Sequence, residues 1–175
     1  MNSVFRNNTT MNLTQLSKED ILLALSEIPD PEIPVITIEE LGILRDVKWD
    51  CITCTIVITP TYTGCPAMKV IEDDIRIKLK SLGIENIIVE LVYSPAWTTD
   101  WISDTAKEKL EKYGIAPPEH SSVDKGTLLG KPRDLRCPHC SSKNVQMISQ
   151  FGSTACKALY RCLDCREPFD YFKCI

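Results

Sequence analysis

The spacing C-x2-C-x21-C-x2-C, formed by Cys137, Cys140, Cys162 and Cys165, constrains this chain more than any other feature of it. Two cysteines three apart in a tight turn aim both thiolates at one point, and two such turns make a tetrahedral four-sulfur site. A stretch of about 40 residues cannot bury enough apolar surface to fold unaided, so a bound metal must supply much of its folding free energy. The intervening NVQMISQFGSTACKALYR reads as two strands around Gly152, which completes a zinc ribbon over residues 135–175. Zn2+ suits four thiolates as a structural ion; a rubredoxin-like iron site uses the same ligands, and spacing does not separate the two. His139, inside the first knuckle, is expected to be exposed rather than ligating. Cys156 and Cys174 fall outside the pattern. They read either as packed small apolar residues or as additional thiols, reactive or ligating a second metal.

The remaining cysteines, Cys51, Cys54 and Cys65, lie in the first part of the chain, and the total of nine is odd. Such a set points to thiols and metal ligands in a reducing compartment rather than to disulfides. Charge divides the chain at the same place. Residues 1–130 carry 12 Lys+Arg against 20 Asp+Glu, whereas residues 131–175 carry 8 against 4. An acidic unit followed by a basic one is the simplest organisation. No apolar run approaches the ~20 residues that cross a bilayer. The start, MNSVFRNNTTMN, lacks the layout of a signal peptide and reads as a loose polar tail over 1–14, so a cytoplasmic location and no membrane partner are expected. The basic ribbon has no dense run of Lys and Arg interleaved with aromatics, so nucleic acid is not an expected partner.

Hydrophobic periodicity predicts an α+β domain over 15–115, ordered α-β-β-α-β-α, with a small sheet covered by helices. Residues 18–28 place Ile21, Leu22, Leu25 and Ile28 on one helical stripe behind Ser17 as N-cap, and the prolines of PDPEIP end it. GILRDVKW (42–49) and CITCTIVIT (51–59) read as strands joined by a tight turn near Asp50, with Ile52, Cys54, Ile56 and Ile58 on one face. From Pro66 the period becomes helical through Met68, Ile71, Ile75, Leu79 and Leu82, ending at Gly83. A third strand covers 86–93, and a last helix, about 99–113, puts Ile102, Ala106, Leu110 and Tyr113 on one face. Residues 116–134 have no period and read as a linker to the ribbon.

Within TPTYTGCPAM (59–68), Cys65 sits where a strand hands over to a helix. With Pro66 at the first helical position, Cys65 becomes the N-cap, and its sulfur faces the free amides of the helix, an environment that lowers a thiol pKa. Thr61 and Thr63 add hydroxyl donors. The plain alternative is a buried capping thiol. Cys51 and Cys54, an odd offset apart in a strand, point to opposite faces and read as structural.

The segments IPDPEIPVITIEELGILRDVKW and VITPTYTGCPAM resemble the iron–sulfur-assembly domain family, over about residues 15–115. After CPHC, the run SQFGSTACKALYRCLDCREPFDYFKC is similar to the PaaD family of phenylacetyl-CoA epoxidase subunits. The resemblance implies an accessory maturation role in phenylacetate degradation, with the family's reactive cysteine at Cys65 and its acidic loop at Asp30 and Glu32. Thr61 belongs to the same motif. A transient iron–sulfur cluster or iron at Cys65 is the implied cargo. The implied partners are the oxygenase and reductase subunits of the epoxidase and the iron–sulfur assembly machinery, and a homodimer sharing one centre is compatible with exposed thiols. Two rivals stand beside it: a structural or regulatory subunit of the oxygenase that docks through the ribbon, and a thiol-redox protein using Cys65. No triad or phosphate loop appears, and two histidines do not support a protein-borne di-iron site, so the chain is not expected to be catalytic itself.

Overall fold

The structure, a computed structural model, describes residues 16–118 and 135–173. Helix α1 (Lys18–Leu25) opens on a reciprocal capping box: the Ser17 hydroxyl accepts the Asp20 amide, and the Asp20 carboxylate accepts the Ser17 amide at 2.9 Å. Ile21 and Leu25 of its apolar stripe are fully buried. Strands β1 (Leu44–Trp49) and β2 (Thr53–Ile58) pair antiparallel. The Asp50 carboxylate builds their turn by accepting the amides of Ile52 and Thr53. Cys54, Ile56 and Ile58 face the core, as alternation predicts. Ile52, expected on the same face, lies instead in the turn and is exposed, and so is Cys51.

Helix α2 (Ala67–Ser81) buries Met68, Ile71, Ile75 and Leu79 and carries the chain across to β3 (Asn86–Leu91), which runs parallel to β2. The expected last helix is broken. A 3₁₀ turn at Thr99–Trp101 ends at an extended Ile102, and Ser103 then caps α3 (Asp104–Lys112) by accepting the Ala106 amide. The break lets the Ser103 amide reach the Glu40 carbonyl at 2.9 Å, tying this segment to the loop before β1. Ile102, Ala106 and Leu110 are buried as expected, whereas Tyr113 faces solvent.

The C-terminal sheet has the order β4-β7-β6-β5, made of β4 (Ile115–Ala116), β5 (Val145–Ser149), β6 (Lys157–Cys162) and β7 (Pro168–Phe172). The ribbon is larger than the two strands read from sequence, because β7 adds an antiparallel neighbour to β6 and β4 pairs parallel with β7. Ala116, read as linker, is therefore a strand residue opposite Tyr171. Tyr160, Phe169 and Tyr171 form the ribbon's own apolar centre. Cys156 and Phe172 belong instead to the core of the first domain, where Phe172 lies 6.0 Å from the Trp97 ring. The α+β class and the added β ribbon agree with the sequence reading, and the two parts are packed together. Among the described residues no helix is long and apolar enough to cross a membrane.

Candidate functional site

Two cysteine centres emerge. In the ribbon, the sulfurs of Cys137, Cys140, Cys162 and Cys165 lie within 4.8 Å of one another, with Cys137–Cys165 at 3.7 Å and Cys140–Cys162 at 3.6 Å. A tetrahedron of thiolates about 2.3 Å from zinc has edges of about 3.8 Å, so the four fit a metal ion. Turn geometry brings them together: Ser141, at φ 60°, closes the first knuckle by donating its amide to the Cys137 carbonyl, and Arg166, at φ 66°, follows the second. The amides of Cys165 and Asp164 point at Cys162 and bring its thiol down to about 7. Despite an amide bond from Glu167, burial and the neighbouring thiols push Cys165 up to about 12. The closed set of four sulfurs is a cation site by geometry, and a bound ion holds such groups as thiolates.

The second centre surrounds Cys65. Helix α2 begins at Ala67 with Pro66, not Cys65, as its N-cap, so the helix starts one residue later than expected. Gly64, at φ 84°, supplies the left-handed turn that places Cys65 there. The Ala67 amide does bond the sulfur, and the Tyr62 hydroxyl also favours the thiolate. Burial outweighs both, and the carboxylates of Glu32 and Asp30 add to it, so the Cys65 thiol is raised rather than lowered. The expectation of a depressed pKa is thereby reversed. A helix start attracts a negative sulfur, but half-burial beside two carboxylates repels it more.

The acidic loop does fold toward Cys65. Asp30 is buried, and its Oδ1 accepts the amides of Glu32 at 2.9 Å and Ile33 at 2.8 Å, bending the segment back so that Pro29 pairs with Thr37. Burial raises the Asp30 pKa against those amides; burial, then the charge of Asp30, raises that of Glu32. Asp30 is thus a shaping residue for the loop, and Glu32 is the carboxylate that accepts from the Cys156 thiol and the Thr154 hydroxyl. Thr61 is buried in the wall of a cavity of about 200 Å³ bounded also by Thr59, Tyr62, Thr63, Tyr93 and Trp97. The buried Thr59 Oγ1 beside it has no hydrogen-bond partner among the described residues.

The sequence finds relatives that divide along the same line. A protein of Escherichia coli (strain K12), named as the D component of 1,2-phenylacetyl-CoA epoxidase, is 50% identical over 156 residues, covering 89% of this chain and 92% of its own. The chain belongs to the PaaD family of phenylacetyl-CoA epoxidase subunits. Residues 121–173 match the PaaD zinc beta ribbon domain, and residues 18–89 match the iron–sulfur cluster assembly protein family. An Fe-S protein maturation auxiliary factor of Porphyromonas gingivalis is 35% identical over 97 residues, covering 54% of this chain and 90% of that one. A solved Bacillus anthracis structure, described as domain of unknown function DUF59, is 28% identical and covers 53% of this chain and 90% of that one, with a TM-score of 0.49.

In this member of the PaaD family, sequence reasoning placed the ribbon ligands and Cys65 but not the surroundings of Cys156. That thiol is buried, 3.9 Å from the Glu32 Oε2 and 3.0 Å from the Thr154 Oγ1. Lys157, next to it, is buried as well, with its ammonium 3.9 Å from Asp170. A partial signal existed: Cys156 precedes β6 in alternation with Ala158, Tyr160 and Cys162, which predicts burial but not that its cluster is the first domain's. Its neighbour across the domain boundary carried no local signature. Cys174 lies outside the described residues.

The raised Cys65 thiol makes a direct prediction. At pH 7 iodoacetamide should label exposed Cys51 ahead of Cys65, and Cys54, pushed up to about 11 by burial, last. The Cys65 rate should then climb about tenfold per pH unit above neutrality, as the thiolate fraction grows. Site-resolved mass spectrometry of protein with zinc in the ribbon and no iron supplied measures this. Labelling of Cys65 ahead of Cys51 at pH 7 would mean that the amide, not burial, governs the site.

Proposed function

We propose that this protein is an accessory maturation factor in phenylacetate degradation, assembling or inserting an iron or iron–sulfur centre for the multicomponent phenylacetyl-CoA epoxidase. The observation that carries the reading is Cys65 itself: a half-buried thiol at the start of α2, faced by the Glu32 and Asp30 carboxylates, in a domain matching iron–sulfur cluster assembly proteins. Iron or a cluster is cargo here, not a resident cofactor. The raised thiol keeps its proton until a cation arrives, and the ion then displaces it. Two carboxylates that disfavour a bare thiolate attract a metal cation by the same field. The site thus favours the loaded thiolate over the empty one.

The ribbon's ion is read as zinc with a structural role, since four closed thiolate positions leave no open coordination site for chemistry. The oxygenase and reductase subunits are the proposed clients, iron–sulfur assembly proteins the proposed donors, and the cytoplasm the proposed location. The name of the Escherichia coli relative, as a component of the epoxidase, also supports a permanent member of the complex, and one experiment separates the two. Oxygenase and reductase are purified from cells lacking this protein, and their iron and sulfide are measured. Under the maturation reading they are underfilled, and activity returns only when the protein is supplied together with iron and sulfide. Metal-replete oxygenase and reductase, restored by simple mixing, would overturn it in favour of the permanent member.

A further inference from the structure

The neighbourhood of Cys65 holds donors from both parts of the chain. Cys65 comes from the loop before α2, Glu32 from the loop after α1, and Cys156 from the turn before β6. Cys156 is packed into the first domain's core cluster, against which Cys65 also packs, so the ribbon delivers a thiol into the other domain's site. Its sulfur is 3.9 Å from the Glu32 Oε2. The ionised forms of Cys65 and Cys156 repel each other, and Glu32 repels both, so the three sense one another's charge. A packed filler thiol would need only apolar neighbours. This one, although within that cluster, also has the Thr154 hydroxyl at 3.0 Å and the Glu32 carboxylate at 3.9 Å.

We propose that Cys65, Cys156 and Glu32 form a second metal site, shared between the two parts of the chain, that takes a thiophilic divalent transition-metal ion such as Fe2+. The identity of the ion rests on the maturation reading; the donor set does not. Two sulfurs and one carboxylate oxygen suit a borderline cation over Mg2+ or Ca2+, which prefer oxygen alone. On loading, each thiol gives up its proton to solvent, so two protons leave for one ion bound and nothing is oxidised or reduced. Two thiolates, one carboxylate and a divalent ion leave one surplus negative charge, and the buried Lys157 ammonium, although 3.9 Å from Asp170, also acts on Glu32 and Asp30 and reduces it. Asp30 does not ligate: its Oδ1 is held by two amides and positions Glu32.

The three donors are looser than the ribbon's. Among the described residues only the four ribbon sulfurs form a set of three or more donors all within 4.8 Å of one another. A closed set holds its ion permanently, whereas a set that must be drawn together holds its ion at the cost of that movement and releases it more readily. The contrast fits one structural ion and one that is passed on.

Co2+ is a suitable probe, because its thiolate complexes absorb strongly and it does not readily displace Zn2+ from four thiolates. The full-length protein, its ribbon filled with Zn2+, is titrated with Co2+ in the absence of oxygen. One further equivalent should bind with a thiolate-to-metal band. Cys156→Ala should lose about half of that band, and Cys156→Ala and Glu32→Gln should each weaken binding at least about tenfold, a typical consequence of disturbing a metal's ligand shell. Tryptophan emission and the unfolding midpoint check that each variant is folded, and Glu32, only partly buried, decides the matter if Cys156→Ala is not. Wild-type binding in both variants, with loss in Cys65→Ala, would overturn the shared site and leave the Cys65 reading standing. Absence of any second equivalent in the wild-type protein would overturn the shared site outright, while client metal content is judged separately in cells.

Discussion

Cys140→Ser in the otherwise intact chain should unfold the ribbon, residues 135–173, and leave β1 to β3 and α2 folded. Three remaining thiolates do not hold zinc as four do, and metal binding supplies roughly 10–16 kcal/mol to structural zinc modules. The ribbon has little to set against that loss. Its own buried cluster is Ala116, Leu135, Cys137, Ala158, Tyr160, Cys162, Phe169 and Tyr171, and two of those eight are themselves ligands. The first domain keeps its own cluster, in which Ile21, Leu25, Ile56, Ile71, Ile75 and Leu79 are fully buried. It does not escape untouched, because Phe172 and Cys156 leave its core and Trp97 loses the ring 6.0 Å away. Amide spectra should therefore lose the dispersed signals of β5 to β7 and keep those of β1 to β3, while the summed emission of the three tryptophans shifts to longer wavelength through Trp97. Dispersed β6 amides in Cys140→Ser, or after a strong chelator, would mean that the ribbon stands without its metal.

A strain carrying Cys65→Ala should make the epoxidase subunits in normal amounts yet turn over phenylacetyl-CoA at least about tenfold more slowly than wild type, the scale on which loss of a metal ligand acts. The substitution removes one half-buried sulfur, which costs on the order of 1 kcal/mol of stability and leaves the fold intact. Any loss of activity is then a loss of cargo handling rather than of protein. The oxygenase and reductase from this strain should be deficient in iron and sulfide. Normal turnover with replete centres would remove Cys65 from the mechanism, and a defect corrected by thiol reductant alone would point to the redox reading instead.

These two experiments probe features of unequal visibility in the sequence. The ribbon ligands were legible because four cysteines at fixed spacing encode a local geometry, and α1 was legible because Ser17 and Asp20 cap it within one turn. The alternating face of β2 and the stripe of α2 likewise follow from period alone. The strand β4 was not legible: two residues carry no period, and its partner lies beyond a long stretch of chain. The break before α3 was hidden because Ile102 fits the helical stripe whether or not its backbone is helical. The Cys65 thiol was misjudged for a related reason. Local sequence shows the amides of α2, but not the burial that outweighs them, nor the two carboxylates that add to it from a loop some thirty residues earlier.

The pairing of β4 with β7 bears on where such a chain can be divided. Ala116 and Leu135 are both buried in the ribbon's cluster, so β4 belongs to the ribbon's core although it comes directly after α3. A ribbon produced from Leu135 onward lacks β4: it loses an edge of the second sheet and exposes the backbone of β7 to pairing with other chains.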